Sequence, residues 1–478
     1  MRRIAYLSPV NPAPSGISDY SEELLPYLGQ YADITLYLAD GLTPANQALR
    51  SHLETRPIRR LAADQRRRPY DAILYHIGNS AAHLEIIAAL EQTPGVAVLH
   101  DLVLHHAMLQ RYAAGRGGVE RYRAIAAARY GADGERVAGL MMRGRFTDAA
   151  FAMPFCEDVV AAADAAIAHS RFVADAVRAL RPGLPVANIP MGVPLPPALD
   201  RAEARAALGL PPDAHLLASF GHINPYKRID VLLRALAELR RTVGDVRFVL
   251  VGSVSPNYDL RAAVARAGLA DAVLVTGYVS RARFESYVAA ADVCVNLRHP
   301  TAGETSASLL RLLGAGRATL VTASGSFREL PPGVAAQVDL GGSEEDLIVA
   351  YATLLLRQPA IAAAVGARAR AYVAAEHTLE RSAAAYASFL AARYGWGDLP
   401  PQRPPLWHLE KAAAVERAPP PRFTAPPVAS VPPDRADAPL PIAALAEAIA
   451  GIGGDASDAP LLRAAASAAA ELGLGGER

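Results

Sequence analysis

Four short segments carry residue types that could do chemistry together. The first is Gly221-His222-Ile223-Asn224-Pro225-Tyr226-Lys227-Arg228, directly after the apolar run Leu216-Leu217-Ala218-Ser219-Phe220. Lys227 is one of two lysines in a chain whose other basic side chains, histidine apart, are all arginine. An ammonium is a compact, hydrated point charge where a guanidinium is a planar fork, and just past a strand end it suits a phosphate. With Arg228 beside it, the pair is expected to neutralise a diphosphate leaving group as its charge grows. The second segment is Pro300-Thr301-Ala302-Gly303-Glu304-Thr305-Ser306-Ala307-Ser308, which leads into an apolar helical stretch. Thr305 or Ser306 caps that helix, and its first amides form a phosphate cradle. Glu304, just ahead of an anion site, is placed to grip sugar hydroxyls.

The third segment is Pro14-Ser15-Gly16-Ile17-Ser18-Asp19-Tyr20. Gly16 lets backbone approach a ligand closely, and the helix that follows offers free amides to an anion. It is not Gly-x-Gly-x-x-Gly, which argues against a dinucleotide. The fourth is His100-Asp101, with His105-His106 close behind. Here an imidazole, His100 in preference to His105, could bind a sugar hydroxyl or stabilise a developing charge, oriented by the neighbouring carboxylate.

The elements that must position these segments alternate short β-rich apolar runs with longer helical stretches. Strands are expected at 4–8, 34–38, 72–77, 96–100, 165–168 and 186–190, then at 216–220, 247–251, 273–276, 293–297 and 319–322. Runs buried on both faces with helical crossovers give parallel sheets covered by helices. A proline cluster at Pro194, Pro196 and Pro197 marks the break. The expected architecture is α/β: two Rossmann-like doubly wound domains, 1–194 and 195–397, facing a cleft, plus a proline-rich C-terminal tail at 398–478. Ligands in such sheets bind at the carboxyl ends of strands, which is where all four segments lie. In the tail, 399–440 is expected to be an extended linker, and 442–449 and 461–472 to form short helices.

Composition narrows the class. A chain of 478 residues exceeds one core, and 52% hydrophobic with 20% charged residues is the balance of a folded protein. A net charge of +1 gives no footing for nucleic-acid binding. Cys156 and Cys294 lack metal-type spacing, and a reducing cytoplasm is expected. The N-terminus reads as a strand and not an export signal, and no apolar run approaches a membrane span.

Taken together, the Gly16 loop, His100-Asp101, His169-Ser170-Arg171-Phe172, Pro190-Met191-Gly192-Val193, the Gly-x-x-x-Pro-x-Lys-Arg loop and the Gly-Glu-Thr-Ser helix start resemble glycosyltransferase family 4, the retaining GT-B enzymes. The resemblance covers roughly residues 3–395. It implies a nucleotide-diphosphate sugar as donor substrate, no cofactor, and a carbohydrate or lipid-linked acceptor in glycan or glycoconjugate synthesis. It places the donor-phosphate lysine on Lys227, the donor-facing glycine on Gly16 and the acceptor-side histidine on His100. The carboxylate on the transferred sugar falls on Glu304, with diphosphate contacts around Gly303, Thr305 and Ser306. The nucleobase falls beside Gly277 and Tyr278. It further implies same-face attack, with the leaving phosphate helping to deprotonate the acceptor.

Two departures stand out. The arginine usual after the loop glycine Gly221 is His222 here, and the second glutamate of the family's paired motif, which holds the donor ribose, falls at about Arg311. The chain contains no Asp-x-Asp, so metal-independent transfer is expected. Basic runs at Arg56, Arg59, Arg60 and 66–68, and from Arg111 to Arg136, are candidates for peripheral contact with the inner face of a membrane. Two alternatives remain: a non-catalytic sugar-nucleotide-binding scaffold, and an epimerase or phosphorylase on the same fold.

Overall fold

The computed structural model describes residues 2–13, 15–145, 148–399 and 403–409. Among them seven strands form one parallel sheet: β1 (Arg3–Leu7), β2 (Asp33–Leu38), β3 (Glu54–Pro57), β4 (Ala72–Ile77), β5 (Val96–Leu99), β6 (Ala165–Ala168) and β7 (Val186–Asn188), in the order β3-β2-β1-β4-β5-β6-β7. Six more form a second parallel sheet: β8 (His215–Phe220), β9 (Val246–Val251), β10 (Val273–Gly277), β11 (Val293–Asn296), β12 (Thr319–Thr322) and β13 (Ala336–Val338), in the order β10-β9-β8-β11-β12-β13. In both sheets the order reverses beside the first strand, β1 or β8, and such a switch point opens a crevice at the strand ends. Every residue of β4, β5, β6, β11 and β12 is buried. That is why these strands read as unbroken apolar runs and not as alternating ones.

Two strands were not foreseen. Both β3 and β13 lie at sheet edges, and β3, Glu-Thr-Arg-Pro, has no buried residue. An edge strand covered on few sides needs no apolar run, and proline and charge are tolerated there.

Each sheet packs helices on both faces, and one core crosses between the two. Leu24, Leu36 and Leu74 of the first domain share a cluster with Leu309, Leu313, Phe327, Val373, Tyr386 and Leu390. The helix Leu379–Tyr394 runs along the helix Gly16–Leu28, and the Tyr20 hydroxyl donates to that of Tyr386 at 3.3 Å. The expected second domain, 195–397, therefore gives its last helix to the first.

The tail differs in part from the expected extended linker. Within 403–409, the Leu406 amide donates to the Pro26 carbonyl at 3.0 Å, and Trp407 is buried with its ring 5.6 Å from His52. A Cβ on Gly29 would lie 2.2 Å from Leu406 Cδ1, so glycine admits the docked segment. The rest of the proline-rich stretch and the two expected short helices lie outside the described residues.

Because Leu390 is fully buried in the shared core, Leu390→Ala is expected to cost roughly 2–5 kcal/mol. Urea denaturation followed on the whole chain checks this; an unchanged midpoint would mean that the helix does not contribute to the core.

Candidate active site

The Lys227 loop follows β8. Gly221 has φ +93°, and a Cβ there would stand 3.6 Å from the Lys227 ammonium, so the loop turns back over its own lysine where a side chain would be strained. Lys227 is 5% exposed, and its Nζ donates to the Phe220 carbonyl at 2.6 Å. Burial and the nearby Arg298 cation push its pKa down to about 7, with Glu304 acting in the opposite direction. A buried ammonium with one carbonyl for a partner and a second cation close by is short of negative charge.

Glu304 supplies part of that charge and spends most of it on Arg298. Its carboxylate forms an ion pair with the Arg298 guanidinium and accepts from the Thr301 hydroxyl at 3.0 Å, while its carbonyl accepts from Ser326 at 2.6 Å. Two residues on, Ser306 caps the helix Ala307–Gly314 by accepting from the Leu309 amide at 3.2 Å. The amides of Ala307 and Ser308 have no hydrogen-bond partner among the described residues, and they add the positive end of a helix to the two cations. Ser306 is thus the cap, with its hydroxyl also 3.1 Å from that of Ser308; Thr305 makes no such bond. The expected meeting of Lys227 with the Glu304 loop is present.

Arg228 is held by another partner. Its guanidinium forms an ion pair with the buried carboxylate of Glu344, and its backbone takes φ +59° at the start of the helix Ile229–Thr242. The cation whose charge acts on Lys227 is Arg298, which was not among the expected residues. Arg298 stands at the end of β11, so the strand-end rule that singled out the other loops would have found it. Gly303 meets the first domain: its φ is +82°, and a Cβ there would come within 2.8 Å of Leu102 Cβ, so the missing side chain admits the facing domain.

The other expected residues are placed at the ends of strands and helices. Gly16 opens the helix Gly16–Leu28 with nothing within 4 Å of its Cβ position, behind Ser15, whose side chain caps the first turn. His222 is exposed and bonded to the Ser253 hydroxyl at 3.0 Å. Gly277, at φ +71°, ends β10, and Tyr278 after it is 88% exposed. Arg311 does not stand free: it pairs with Glu23 of the first domain at 2.6 Å, and Arg281 pairs with the same carboxylate at 2.8 Å.

His100 is buried in a cluster of imidazoles. Its Nε2 lies 2.9 Å from His76 Nδ1, and its ring centroid is 4.9 Å from that of His169 and 5.2 Å from Tyr20. Burial and the neighbouring histidines hold His100 and His76 far below the usual imidazole pKa, so both are neutral. Among the described residues, the buried Nδ1 of His100 and Nε2 of His169 have no partner. Among the described residues no group of three or more His, Cys, Asp or Glu is placed to hold a metal ion. Both thiols are buried and pushed up to about 12.

Residues 214–356 match the family described as glycosyl transferases group 1, so the chain carries a domain of that kind. A D-inositol 3-phosphate glycosyltransferase of Xylanimonas cellulosilytica is 38% identical over 151 residues, 29% of this chain and 36% of that protein. Another, of Catenulispora acidiphila, is 39% identical over 106 residues, 20% of this chain and 25% of that protein. The matched stretches thus span about a third or less of these relatives' length. Sucrose-phosphate synthase from Thermosynechococcus elongatus superposes with a TM-score of 0.60 at 18% identity, over 83% of this chain and all of that one. Anabaena HepE in complex with UDP and glucose gives 0.58 at 17%, over 82% and 100%. The fold is the two-domain GT-B arrangement.

The Lys227 pKa has a stability consequence with a definite sign. Between about 7 in the folded state and the ordinary lysine value of about 10.4, the unfolded chain binds more protons, so stability rises with pH through that window. Below it the cost of the buried charge is fully present. Lys227→Met should therefore be stabilising relative to wild type in weak acid, with the difference shrinking towards alkaline pH. Thermal melts of the ligand-free proteins check this, and a pH-independent difference would mean that the lysine is not charged and buried.

Proposed function

We propose that the protein is a glycosyltransferase that moves a sugar from a nucleotide-diphosphate sugar to a hydroxyl of a carbohydrate or lipid-linked acceptor, with retention of anomeric configuration and without a metal ion. The observation that carries this reading is the buried Lys227 ammonium beside Arg298 and the unpaired amides of Ala307 and Ser308. The matched stretch 214–356 contains all of these residues. In support, the D-inositol 3-phosphate glycosyltransferases are sugar transferases by name, and HepE is described with UDP and glucose bound.

In this reading the diphosphate sits between Lys227 and the two amides, which lower the barrier by meeting charge as it develops on the leaving oxygen. Glu304, held by Arg298 and Thr301, turns its remaining acceptor capacity to the sugar hydroxyls. Those same bonds make it a poor nucleophile, which favours one-step same-face attack over a covalent glycosyl-enzyme. The nucleoside extends past Gly277 and Tyr278. His100 and His169 offer neutral, unpaired nitrogens to hydroxyls on the first-domain side of the cleft.

A peripheral lipid contact belongs to the same proposal. Arg56, Arg59, Arg60, Arg111, Arg123, Arg129 and Arg136 are all in ion pairs, which leaves 66–68, Arg116 and Arg121 as the cations for an anionic surface. No single helix among the described residues is long and apolar enough to cross a membrane.

UDP-, GDP-, ADP- and TDP-sugars screened by thermal shift identify the donor, and its turnover is then followed by nucleotide release. Lys227→Ala should lower kcat/KM on the order of 10²–10³-fold. Arg228→Ala, which loses a brace and no substrate contact, should lower it less than about tenfold. Equal losses would return Arg228 to the site. Chelator should leave the rate unchanged, and proton NMR of the first-formed product should show the donor's anomeric configuration; an inverted product would refute retention.

A further inference from the structure

We infer that Phe151 is a positioning residue for the donor site: from the first domain it seats the Tyr226 ring, and with it the turn that carries Lys227. The inference rests on the sugar-transfer reading above and adds to it a residue of the facing domain that sets the loop expected to hold the diphosphate. The rings of Phe151 and Tyr226 meet edge to face, with centroids 4.9 Å apart and planes at 68°. Aromatic pairs prefer this arrangement, and it contributes beyond the area it buries.

Tyr226 is the link to the chemistry. It is the middle residue of the short turn Pro225–Lys227, which the Arg228 amide closes by donating to the Pro225 carbonyl at 3.0 Å. Its own carbonyl accepts from the His299 amide at 2.8 Å, and His299 follows Arg298 in the chain. One residue thus ties the backbone of Lys227 to that of Arg298, the cation that acts on it. A half-buried tyrosine ring left alone would sample several rotamers. The edge of Phe151 removes that freedom, and the turn is held with the ring.

The first domain in turn holds Phe151 from behind. Phe151 lies in the turn Asp148–Ala152, and the buried His105 imidazole clamps the chain on either side of it: Nδ1 is 3.1 Å from the Ala150 carbonyl and 3.0 Å from that of Met153. Burial holds the His105 pKa down to about 4, so near neutral pH the ring carries one N–H. Two carbonyls place that proton on Nδ1, which leaves Nε2 to accept from the Tyr122 hydroxyl. Just beyond, the Leu104 amide donates to the Pro154 carbonyl at 2.6 Å. Phe155 is fully buried at φ +54°, a backbone conformation that costs a bulky residue energy. Its surroundings offset the cost: the Phe155 amide donates to the Tyr130 hydroxyl at 2.8 Å, and its ring packs 4.6 Å from that of His105.

UDP is the probe, titrated by calorimetry into the whole chain. Phe151→Ala should weaken UDP binding about 2–10-fold. Tyr226→Ala should do the same, and the double variant should be no worse than either single one, because all three lose one and the same contact. His105→Leu should lose as much as Phe151→Ala, while His105→Asn, which returns an N–H to the two carbonyls, should recover most of the affinity.

A second measurement needs no nucleotide. The chain has two lysines, Lys227 and Lys411, so lysine labelled with carbon-13 at Cε gives two NMR signals, and that of Lys227 is the one lost in Lys227→Met. In Phe151→Ala it should titrate at higher pH than in wild type, because a looser turn lets water back to the ammonium. The charged groups that act on Lys227, Arg298 and Glu304, are unchanged in that variant. Wild-type UDP affinity and lysine titration in Phe151→Ala, or additive losses in the double variant, would overturn the inference while leaving sugar transfer standing. Failure of wild type to bind any nucleoside diphosphate would overturn the transfer reading, and the lysine titration would still decide whether Phe151 seats the turn.

Discussion

A buried ammonium with no ion-pair partner among the described residues governs how the cleft is built. Lys227 could have been paired with a carboxylate, as Arg228 is with Glu344, and the site would then have been stable and inert. Instead its bonded partner is a neutral carbonyl, and the nearest carboxylate, Glu304, is shared with Arg298. Removing a charge from water costs several kcal/mol unless a partner compensates. That cost pushes the Lys227 pKa down. An anion entering between the lysine and the helix amides relieves it, so the feature that weakens the empty protein strengthens the liganded one.

The surrounding fold is arranged to bring the two halves of such a site into register. Glu23 on the first domain bridges Arg281 and Arg311 on the second. Glu329 accepts from the amides of Arg171 and Phe172 at 2.9 and 2.6 Å, capping a first-domain helix from the other side of the cleft. Phe151 packs against Tyr226 with ring centroids 4.9 Å apart, beside Lys227 in the chain. These contacts, with the shared core behind them, fix how the two domains meet. Arg311 thus has a role after all: where the related pattern has a second glutamate, this chain has a cation that draws a carboxylate from the facing domain.

Legibility in the sequence followed burial. Strands 72–77, 165–168 and 319–322 were read to the residue because each is buried on both faces and leaves an uninterrupted apolar run. The edges β3 and β13 escaped because solvent on one side removes that signature. Lys227, Glu304 and Ser306 stand out by residue type and strand-end address. Arg298 was hidden by the abundance of arginine, which makes any one of them inconspicuous. The true partner of Arg228 was hidden because Glu344 lies over a hundred positions away, and an ion pair at that separation leaves no local pattern. The same holds for Glu23, whose partners lie on the other domain.

The central claim is that the Lys227 ammonium waits, partly deprotonated near neutral pH, for a diphosphate. Calorimetric titration with UDP slightly above neutral pH, in two buffers of different ionisation enthalpy, tests it most directly. The account predicts net proton uptake on binding by wild type, because the incoming anion restores the lysine's charge, and much less uptake by Lys227→Met. Binding without proton uptake in wild type, or the same uptake in both proteins, would contradict it.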